Sequence, residues 1–217
     1  MEALKEILGF FLHVDKHLLE VVQQYGSWTY AILFAIVFLE TGLVVTPFLP
    51  GDSLLFAAGA LAGAGALDVR IIIVLLIIAA ITGDSLNYAI GRHVGPRVFR
   101  EGSRFFRQEY LDRTHEFYER HGGKTIVLAR FVPIVRTFAP FVAGIGRMNY
   151  PKFFAYNVGG GVLWVCLFGL LGYFFGGLPV VKENFSIAVL VIIFLSLTPM
   201  VVEVVKARGQ ARSSTKG

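Results

Sequence analysis

The chain has 217 residues, 55% of them hydrophobic, and a mean hydropathy of +0.67. This apolar content excludes a soluble globular protein and predicts an integral membrane protein. The net charge of +5 comes from basic residues that cluster between apolar stretches and at the C-terminus. In a membrane chain such a pattern indicates orientation in the bilayer rather than nucleic-acid binding.

The N-terminal residues 1–26 are predicted to form an amphipathic helix at the membrane interface. Apolar side chains recur there at helical spacing, from Leu4 to Val21, with polar side chains on the other face. His13 and His17 lie one turn apart, but no third ligand is near them in sequence. We therefore predict a polar helix face, and no metal site.

The first half of the chain contains two predicted spans, residues 28–45 and 71–90, because each is long and nearly uncharged. Between them lies the segment 47–63, which is apolar but broken by Pro50 and Gly51. It also carries Asp52, an acid where a membrane segment usually has none.

A basic linker at 93–124 follows, and together with Arg92 just before it this region carries eight Arg and Lys residues, the last being Lys124. The second half begins with another broken apolar segment, residues 128–146, interrupted by Pro133 and Pro140. Two further predicted spans cover 153–175 and 185–202, and a basic tail occupies 207–217. Cys166 is the only cysteine in the chain, so the sequence excludes a disulfide framework and a thiolate metal cluster.

The two broken segments resemble each other. A spacing of 85 residues carries three residues of the first onto Phe141, Ala143 and Gly144 of the second, namely Phe56, Ala58 and Gly59. Paired broken apolar segments in corresponding halves of a chain point to the binding site of a transporter.

Charge parity predicts how these segments enter the membrane. If the linker 93–124 and the tail 207–217 both face the cytoplasm, an even number of crossings separates them. The spans 153–175 and 185–202 already supply two. We therefore predict that 128–146 is re-entrant from the cytoplasmic side, and that 47–63 is its counterpart from the opposite side.

The predicted fold is an all-α integral membrane protein. It is an inverted repeat with four transmembrane helices, two opposed re-entrant helical hairpins and amphipathic interfacial helices. Its parts are the N-terminal helix 1–26, the first repeat 27–92, the linker 93–124, the second repeat 125–206 and a disordered tail 207–217. The predicted hairpin breaks are Pro50, Gly51, Pro133 and Pro140.

Five ionisable residues fall within the apolar segments: Glu40, Asp52, Asp84, Arg130 and Arg136. Each unpaired charge costs about 2.5 to 3.5 kcal/mol at mid-membrane, so they should face one another or water. Structural ion pairs that fix helix packing are one interpretation. A functional site is the other, because four of the five lie on or beside the broken segments.

The two arginines suit an anionic headgroup, since a guanidinium matches the oxygens of phosphate or carboxylate. Three carboxylates against two guanidinia leave about one negative charge when all are ionised. Binding a phosphate worsens this imbalance unless a proton binds too. We therefore predict headgroup binding by Arg130 and Arg136, and proton coupling by Glu40, Asp52 and Asp84. The side chains of Asn87 and Asn157 extend this polar site.

Long motifs of the chain resemble the bacterial DedA family, part of the wider group with a VTT or SNARE-associated domain. They read FLETGLVVTPFLPGDSLLFAAGAL, GDSLNYAIGR and FYERHGGKTIVLARFVPIVRTFAPFVAGIGRMNY. The resemblance implies an inner-membrane protein linked to envelope homeostasis, the proton motive force and lipid movement. It also implies importance for the acid of ETG, the aspartate of PGD and the arginines of ARFVPIVRT, which are Glu40, Asp52, Arg130 and Arg136 here.

The leading expectation is a flippase or scramblase in the bacterial inner membrane, with both termini cytoplasmic. Its partners would be protons and a membrane phospholipid or a polyprenyl phosphate such as undecaprenyl phosphate. No nucleic acid or cofactor is expected. The sequence leaves open whether the protein forms a homo-oligomer.

Three alternatives remain. The first is a proton-coupled exporter of small cations or drugs, with Glu40 and Asp52 as the substrate site. The second is an enzyme acting on lipid phosphates, which is disfavoured because His93, His115 and His121 lie in the linker, away from the arginines. The third is a non-transporting assembly partner, which leaves the buried charges without a use.

Overall fold

The computed structural model describes residues 24–43, 51–98 and 123–179, together with residues 20, 22, 181 and 191. Within these ranges all regular structure is helical. The helices are α1 (Trp28–Gly42), α2 (Gly51–Gly63), α3 (Val69–Val98), α4 (Lys124–Ala129), α5 (Pro133–Ile145) and α6 (Tyr150–Phe175). Most of the predicted N-terminal helix, Pro50, most of the linker, all of the predicted span 185–202 except residue 191, and the tail lie outside the described residues.

Helices α3 and α6 have the length and apolar character needed to cross a membrane, over Val69–Val94 and Tyr150–Phe175. They correspond to the predicted spans 71–90 and 153–175. The two helices are antiparallel. Asn157 donates to the carbonyl of Ile81, whereas Gly169, further along α6, packs against Ile73, further back along α3.

Helix α1 differs from the full span predicted for residues 28–45. It has 15 residues, or about 22 Å of helix at 1.5 Å per residue, whereas a span needs about 20 residues. It also runs in the same direction as α3. The Tyr30 hydroxyl accepts from the backbone of Asp68, just before α3, and Gly42 packs against Gly83.

This direction corrects the predicted order of the first half. A full span at 28–45 followed by a returning α3 would place α1 and α3 antiparallel. Instead α1 and α3 are parallel, and α1 and α2 form an antiparallel pair that precedes α3. Helix α2 runs parallel to α6, since Gly59 meets Gly169 and Gly63 meets Tyr173, and so α2 is antiparallel to α1.

The most extensive helix contacts connect the two halves of the chain: α2 packs on α6, and α5 packs on α3. Gly59 lies against the backbone of Tyr173, and Gly144 lies against the backbone of Tyr88. The 85-residue spacing relates Gly59 to Gly144 and Tyr88 to Tyr173. The same contact is therefore made twice, each time by the short helix of one half on the long helix of the other.

The breaks in the second half lie at residues 130–132 and not at Pro140. Phe131 and Val132 donate to the carbonyls of Leu128 and Ala129 in a tight turn between α4 and α5. Pro133 then occupies the first turn of α5, where its missing N–H costs no helical bond. Helix α5 continues through Pro140 to Ile145, so the predicted break there is wrong. A proline removes a single helical bond, which neighbouring helices can compensate within a membrane protein.

Substitution of Gly144 by Ala should destabilise the fold, because its Cβ atom would collide with the carbonyl of Tyr88. Overpacking of this kind costs about 1 to 3 kcal/mol. Gly159→Ala is the matched control, since no atom lies within 4 Å of a Cβ atom there, and alanine favours a helix. Thermal unfolding in detergent compares the two. Equal unfolding temperatures would contradict the close packing of α5 on α3.

Candidate functional site

The five ionisable residues singled out in the apolar segments are all buried. Their exposed fractions are 1% for Glu40, 6% for Asp52, 3% for Asp84, 4% for Arg130 and 8% for Arg136. The structure brings them into two ion-paired groups, each built around one arginine. Pairing is what burial demands, because an isolated charge away from water is costly.

The first group, called the Arg136 cluster, comprises Glu40, Asp52, Arg136 and Trp164. Arg136 lies on α5 and pairs with two acids of the first half of the chain. Its Nη1 donates to Asp52 Oδ1 at 2.8 Å, and its Nη2 donates to Glu40 Oε1. Because Glu40 is on α1 and Asp52 is on α2, one guanidinium joins three helices.

The first turn of α2 stabilises the carboxylates of Glu40 and Asp52. Asp52 lies in the first turn of α2, where the helix dipole favours negative charge. The backbone N–H of Gly51 donates to Glu40 Oε1 at 3.2 Å. A Cβ atom at Gly51 would approach Glu40 Oε1 to 2.7 Å and Arg136 Nη2 to 2.8 Å, so only glycine leaves room for the ion pair.

Trp164 belongs to the same cluster, and the sequence analysis missed it. Its indole Nε1 donates to Asp52 Oδ1 at 2.7 Å, and its ring centroid lies 4.9 Å from Arg136 Cζ. A tryptophan in an apolar span normally indicates packing. The available signal was its position, because Trp164 lies in the middle of α6 whereas membrane tryptophans concentrate at the interfaces.

The second group, called the Arg130 cluster, comprises Asp84, Arg130 and Asn157. Arg130 follows α4 directly and donates to Asp84 Oδ2 on α3 and to Asn157 Oδ1 on α6. Gly160 gives the arginine its room, since a Cβ atom there would lie 3.0 Å from Arg130 Cδ. The Asn157 amide in turn donates to the Ile81 carbonyl at 3.0 Å.

Asn87 on α3 links α1 and α5 by side-chain hydrogen bonds. Its Nδ2 donates to the backbone carbonyl of Thr41 on α1 at 3.1 Å and to that of Thr137 on α5 at 2.8 Å. The sequence placed Asn87 and Asn157 beside the charged site, and in the structure both are fully buried there. They fix backbone and arginine positions from the long helices α3 and α6.

Residues of both clusters line a small cavity, in which the centre of a water molecule has about 10 Å³ to occupy. That volume suits roughly one water. Its lining residues are Thr41, Asp84, Arg130, Arg136, Thr137 and Trp164. Among the described residues, the buried Nε atoms of both arginines have no hydrogen-bond partner, so donor capacity remains unused beside this cavity.

The two clusters differ in charge. With all groups ionised, the Arg136 cluster has two carboxylates for one guanidinium and a net charge of minus one, whereas the Arg130 cluster has one of each and is neutral. Binding of an anion at Arg136 would therefore add to an existing excess of negative charge. In the part of the chain that the structure describes, no three His, Cys, Asp or Glu side chains are grouped closely enough to hold a metal ion.

Comparison with known proteins gives a consistent set of relatives. The family model of the VTT domain matches residues 49–174. The chain is 56% identical over 219 aligned positions to Protein DedA of Escherichia coli strain K12, covering all of both chains. It is 44% identical over 196 positions to Uncharacterized membrane protein Rv0364 of Mycobacterium tuberculosis, covering 88% of this chain and 86% of that one.

A further relative is Inner membrane protein YqjA of Escherichia coli strain K12. It is 36% identical over 181 positions, which cover 83% of this chain and 82% of that protein. No solved structure matches the chain.

Removal of one member of the Arg130–Asp84 pair should destabilise the protein by about 3 to 5 kcal/mol, because the remaining charge is left buried and unpaired. The double variant Asp84→Asn with Arg130→Gln should lose less than the sum of the two single variants. Unfolding in detergent measures this coupling, with the exposed Arg70→Gln as the control for loss of one positive charge. Additive single-variant losses would show that the pair carries no mutual stabilisation.

Proposed function

The chain belongs to the DedA family of VTT-domain membrane proteins, and on that premise we propose that it transports lipid across the bacterial inner membrane. The proposed substrate is an anionic or zwitterionic phospholipid, or a polyprenyl phosphate such as undecaprenyl phosphate. The observation that carries the proposal is that two buried arginines, one at the break between α4 and α5 and one on α5, are paired with carboxylates of the first half of the chain.

The proposed membrane arrangement is an inverted repeat with two re-entrant hairpins. One hairpin is the pair α1 and α2, and the other is the pair α4 and α5. The antiparallel packing of the equivalent long helices α3 and α6 supports an inverted relation between the halves. The two contacts related by the 85-residue spacing support it as well. The cytoplasmic location of the linker 93–124 and of the C-terminus is part of the proposal. Because α1 and α2 as a hairpin return to the side on which they start, this arrangement places the N-terminus on the opposite side, which changes its predicted location.

The first proposed step is an exchange of acceptors at Arg136. A guanidinium offers planar N–H donors that fit a phosphate as well as a carboxylate. The lipid phosphate would take the position of Glu40 or Asp52, so that Arg136 keeps a negative partner throughout. Arg130, with its unpaired Nε beside the shared cavity, is the second proposed contact for the headgroup.

The second proposed step is proton uptake. The Arg136 cluster already has one carboxylate in excess, and a phosphate adds further negative charge. Protonation of the displaced carboxylate, Glu40 or Asp52, restores the balance without an unpaired buried charge. Substrate movement would thereby be coupled to the proton motive force. Asp84 is the third proposed proton-coupling carboxylate, since it is the counter-ion of Arg130.

Exposed apolar side chains support the placement of the lipid tails. The outer face of α3 carries a shallow depression lined by Arg70, Ile71, Val74, Leu75 and Ile78. The outer face of α6 carries another, lined by Cys166 and by leucines and phenylalanines between Leu163 and Phe175. With such apolar surfaces on the two long helices, the tails would stay in the bilayer while only the headgroup enters the polar site.

A proton-coupled exporter of small cations or drugs is the second candidate, and the excess carboxylate of the Arg136 cluster favours it. In that case Glu40 and Asp52 would bind the cation. Replacement of both arginines by glutamine separates the candidates. If the protein transports lipid, this double variant should lose headgroup binding. If it exports cations, the variant should still bind the cation but show altered proton coupling.

Arg136→Gln should reduce lipid translocation in proteoliposomes at least tenfold, because a charge-assisted bidentate contact is worth about 1.5 to 3 kcal/mol. Arg136→Lys should restore only part of the rate, since lysine lacks the planar fork. Translocation is followed by the accessibility of a headgroup-labelled phospholipid or polyprenyl phosphate. The control is the exposed Arg147→Gln, and translocation by Arg136→Gln at the rate of this control would refute the headgroup role.

An imposed proton gradient should change the translocation rate of the wild-type protein. Glu40→Gln should lose most of this response, because it removes the excess negative charge of the Arg136 cluster. The measurement compares proteoliposomes with equal and unequal internal and external pH. A wild-type rate indifferent to the gradient would remove proton coupling from the proposal while leaving lipid transport intact.

A further inference from the structure

Trp164 is a buried tryptophan in the middle of α6 that contacts two of the three charges of the Arg136 cluster, Asp52 and Arg136. Only 1% of it is exposed. Its indole N–H donates to Asp52 at 2.7 Å, and its ring lies 4.9 Å from the centre of the Arg136 guanidinium. One side chain of the second long helix thus touches an acid of the first hairpin and a base of the second hairpin.

Both donors use the same acceptor atom. Asp52 Oδ1 accepts from Arg136 Nη1 at 2.8 Å and from Trp164 Nε1 at 2.7 Å. If Arg136 turns to another acceptor, this oxygen keeps one donor. A buried charged acceptor that loses its donor carries a desolvation penalty, so the indole lowers the cost of opening the ion pair.

The ring contact has a complementary effect on the arginine. An aromatic ring over a guanidinium interacts with its face, whereas the N–H donors of the guanidinium lie in its plane. Arg136 can therefore change its in-plane acceptor and keep the ring beneath it. Trp164 stabilises both members of the pair independently of their bond to each other.

We propose that Trp164 is a positioning residue that holds Asp52 and Arg136 in place while Arg136 exchanges a carboxylate for the lipid phosphate. The inference rests on the proposed lipid transport and adds the residue that makes the exchange fast. Trp164 acts through Asp52 and Arg136 and need not touch the lipid.

The first arm of the test separates the indole N–H from the aromatic ring. Trp164→Phe keeps a ring and loses the donor. Trp164→His restores an N–H, because imidazole Nε2 occupies the place of indole Nε1 in the five-membered ring. The matched control is Trp28→Phe, the same change at a tryptophan that is 73% exposed.

Trp164→Phe should lower the maximal translocation rate about tenfold or more, since a hydrogen bond to a charged group has that worth. The lipid concentration at half-maximal rate should stay within about twofold, because phosphate contacts are retained. At pH 8, Trp164→His should recover part of the rate. A Trp164→Phe rate equal to that of Trp28→Phe overturns the inference, as does a folded Trp164→His variant no faster than Trp164→Phe.

The second arm needs no change at Trp164. The chain has two tryptophans, so Trp28→Phe leaves Trp164 as the sole indole fluorophore. The full-length variant in detergent is titrated with short-chain phosphatidic acid, and bound lipid is counted by native mass spectrometry. The emission of Trp164 should change saturably with binding, and the added Arg136→Gln should abolish the change.

The two arms distinguish this inference from the function on which it rests. Bound phosphatidic acid with unchanged Trp164 emission overturns the role of Trp164 and leaves lipid transport standing. If neither phosphatidic acid nor any co-purified phospholipid or polyprenyl phosphate binds the wild-type protein, the proposed function fails and this inference fails with it.

Discussion

The arginine–carboxylate pairs are the interaction on which the rest of the structure depends. A charge in a medium of low dielectric needs a counter-charge at contact distance, and in this chain the counter-charges come from distant parts of the sequence. Arg136 draws the end of α1 and the start of α2 onto α5, and Arg130 draws α3 and α6 together. Short helices that end inside the molecule are thereby anchored, because Glu40 also accepts from the first N–H of α2.

The charge balance distinguishes the two clusters. Arg130 faces one carboxylate and one amide oxygen, with Asn157 held in turn by the Ile81 carbonyl. This arrangement is neutral when both groups are ionised. Arg136 faces two carboxylates, and one of them has a second donor in Trp164. The proposed exchange of acceptors would therefore begin at Arg136, where one carboxylate is in excess and Asp52 has a second donor.

Much of this organisation follows from residue type and spacing. The apolar lengths predicted α3 and α6, and the cost of burying charge predicted that Glu40, Asp52, Asp84, Arg130 and Arg136 would find partners. The direction of α1 was not predictable in the same way, because an apolar run of 15 residues looks alike whether it crosses a membrane or turns back. Pro140 was misjudged because a single proline does not determine whether neighbouring helices support the helix around it. Trp164 was missed because its polar atom is one nitrogen on a large apolar ring.

The packing of each short helix on the long helix of the opposite half has a consequence for the history and assembly of the chain. Neither half encloses its own glycine-lined groove, so a single half would leave the backbone of Gly59 or Gly144 without its complement. Two copies of a half-length ancestor, inserted in opposite orientations, would satisfy each other through the same reciprocal contacts. Fusion of two such copies would let them diverge, so that one contributes acids and the other arginines to a shared centre. In the described part of the chain, the first half cannot complete its packing until α6 has been synthesised, because α2 packs on α6.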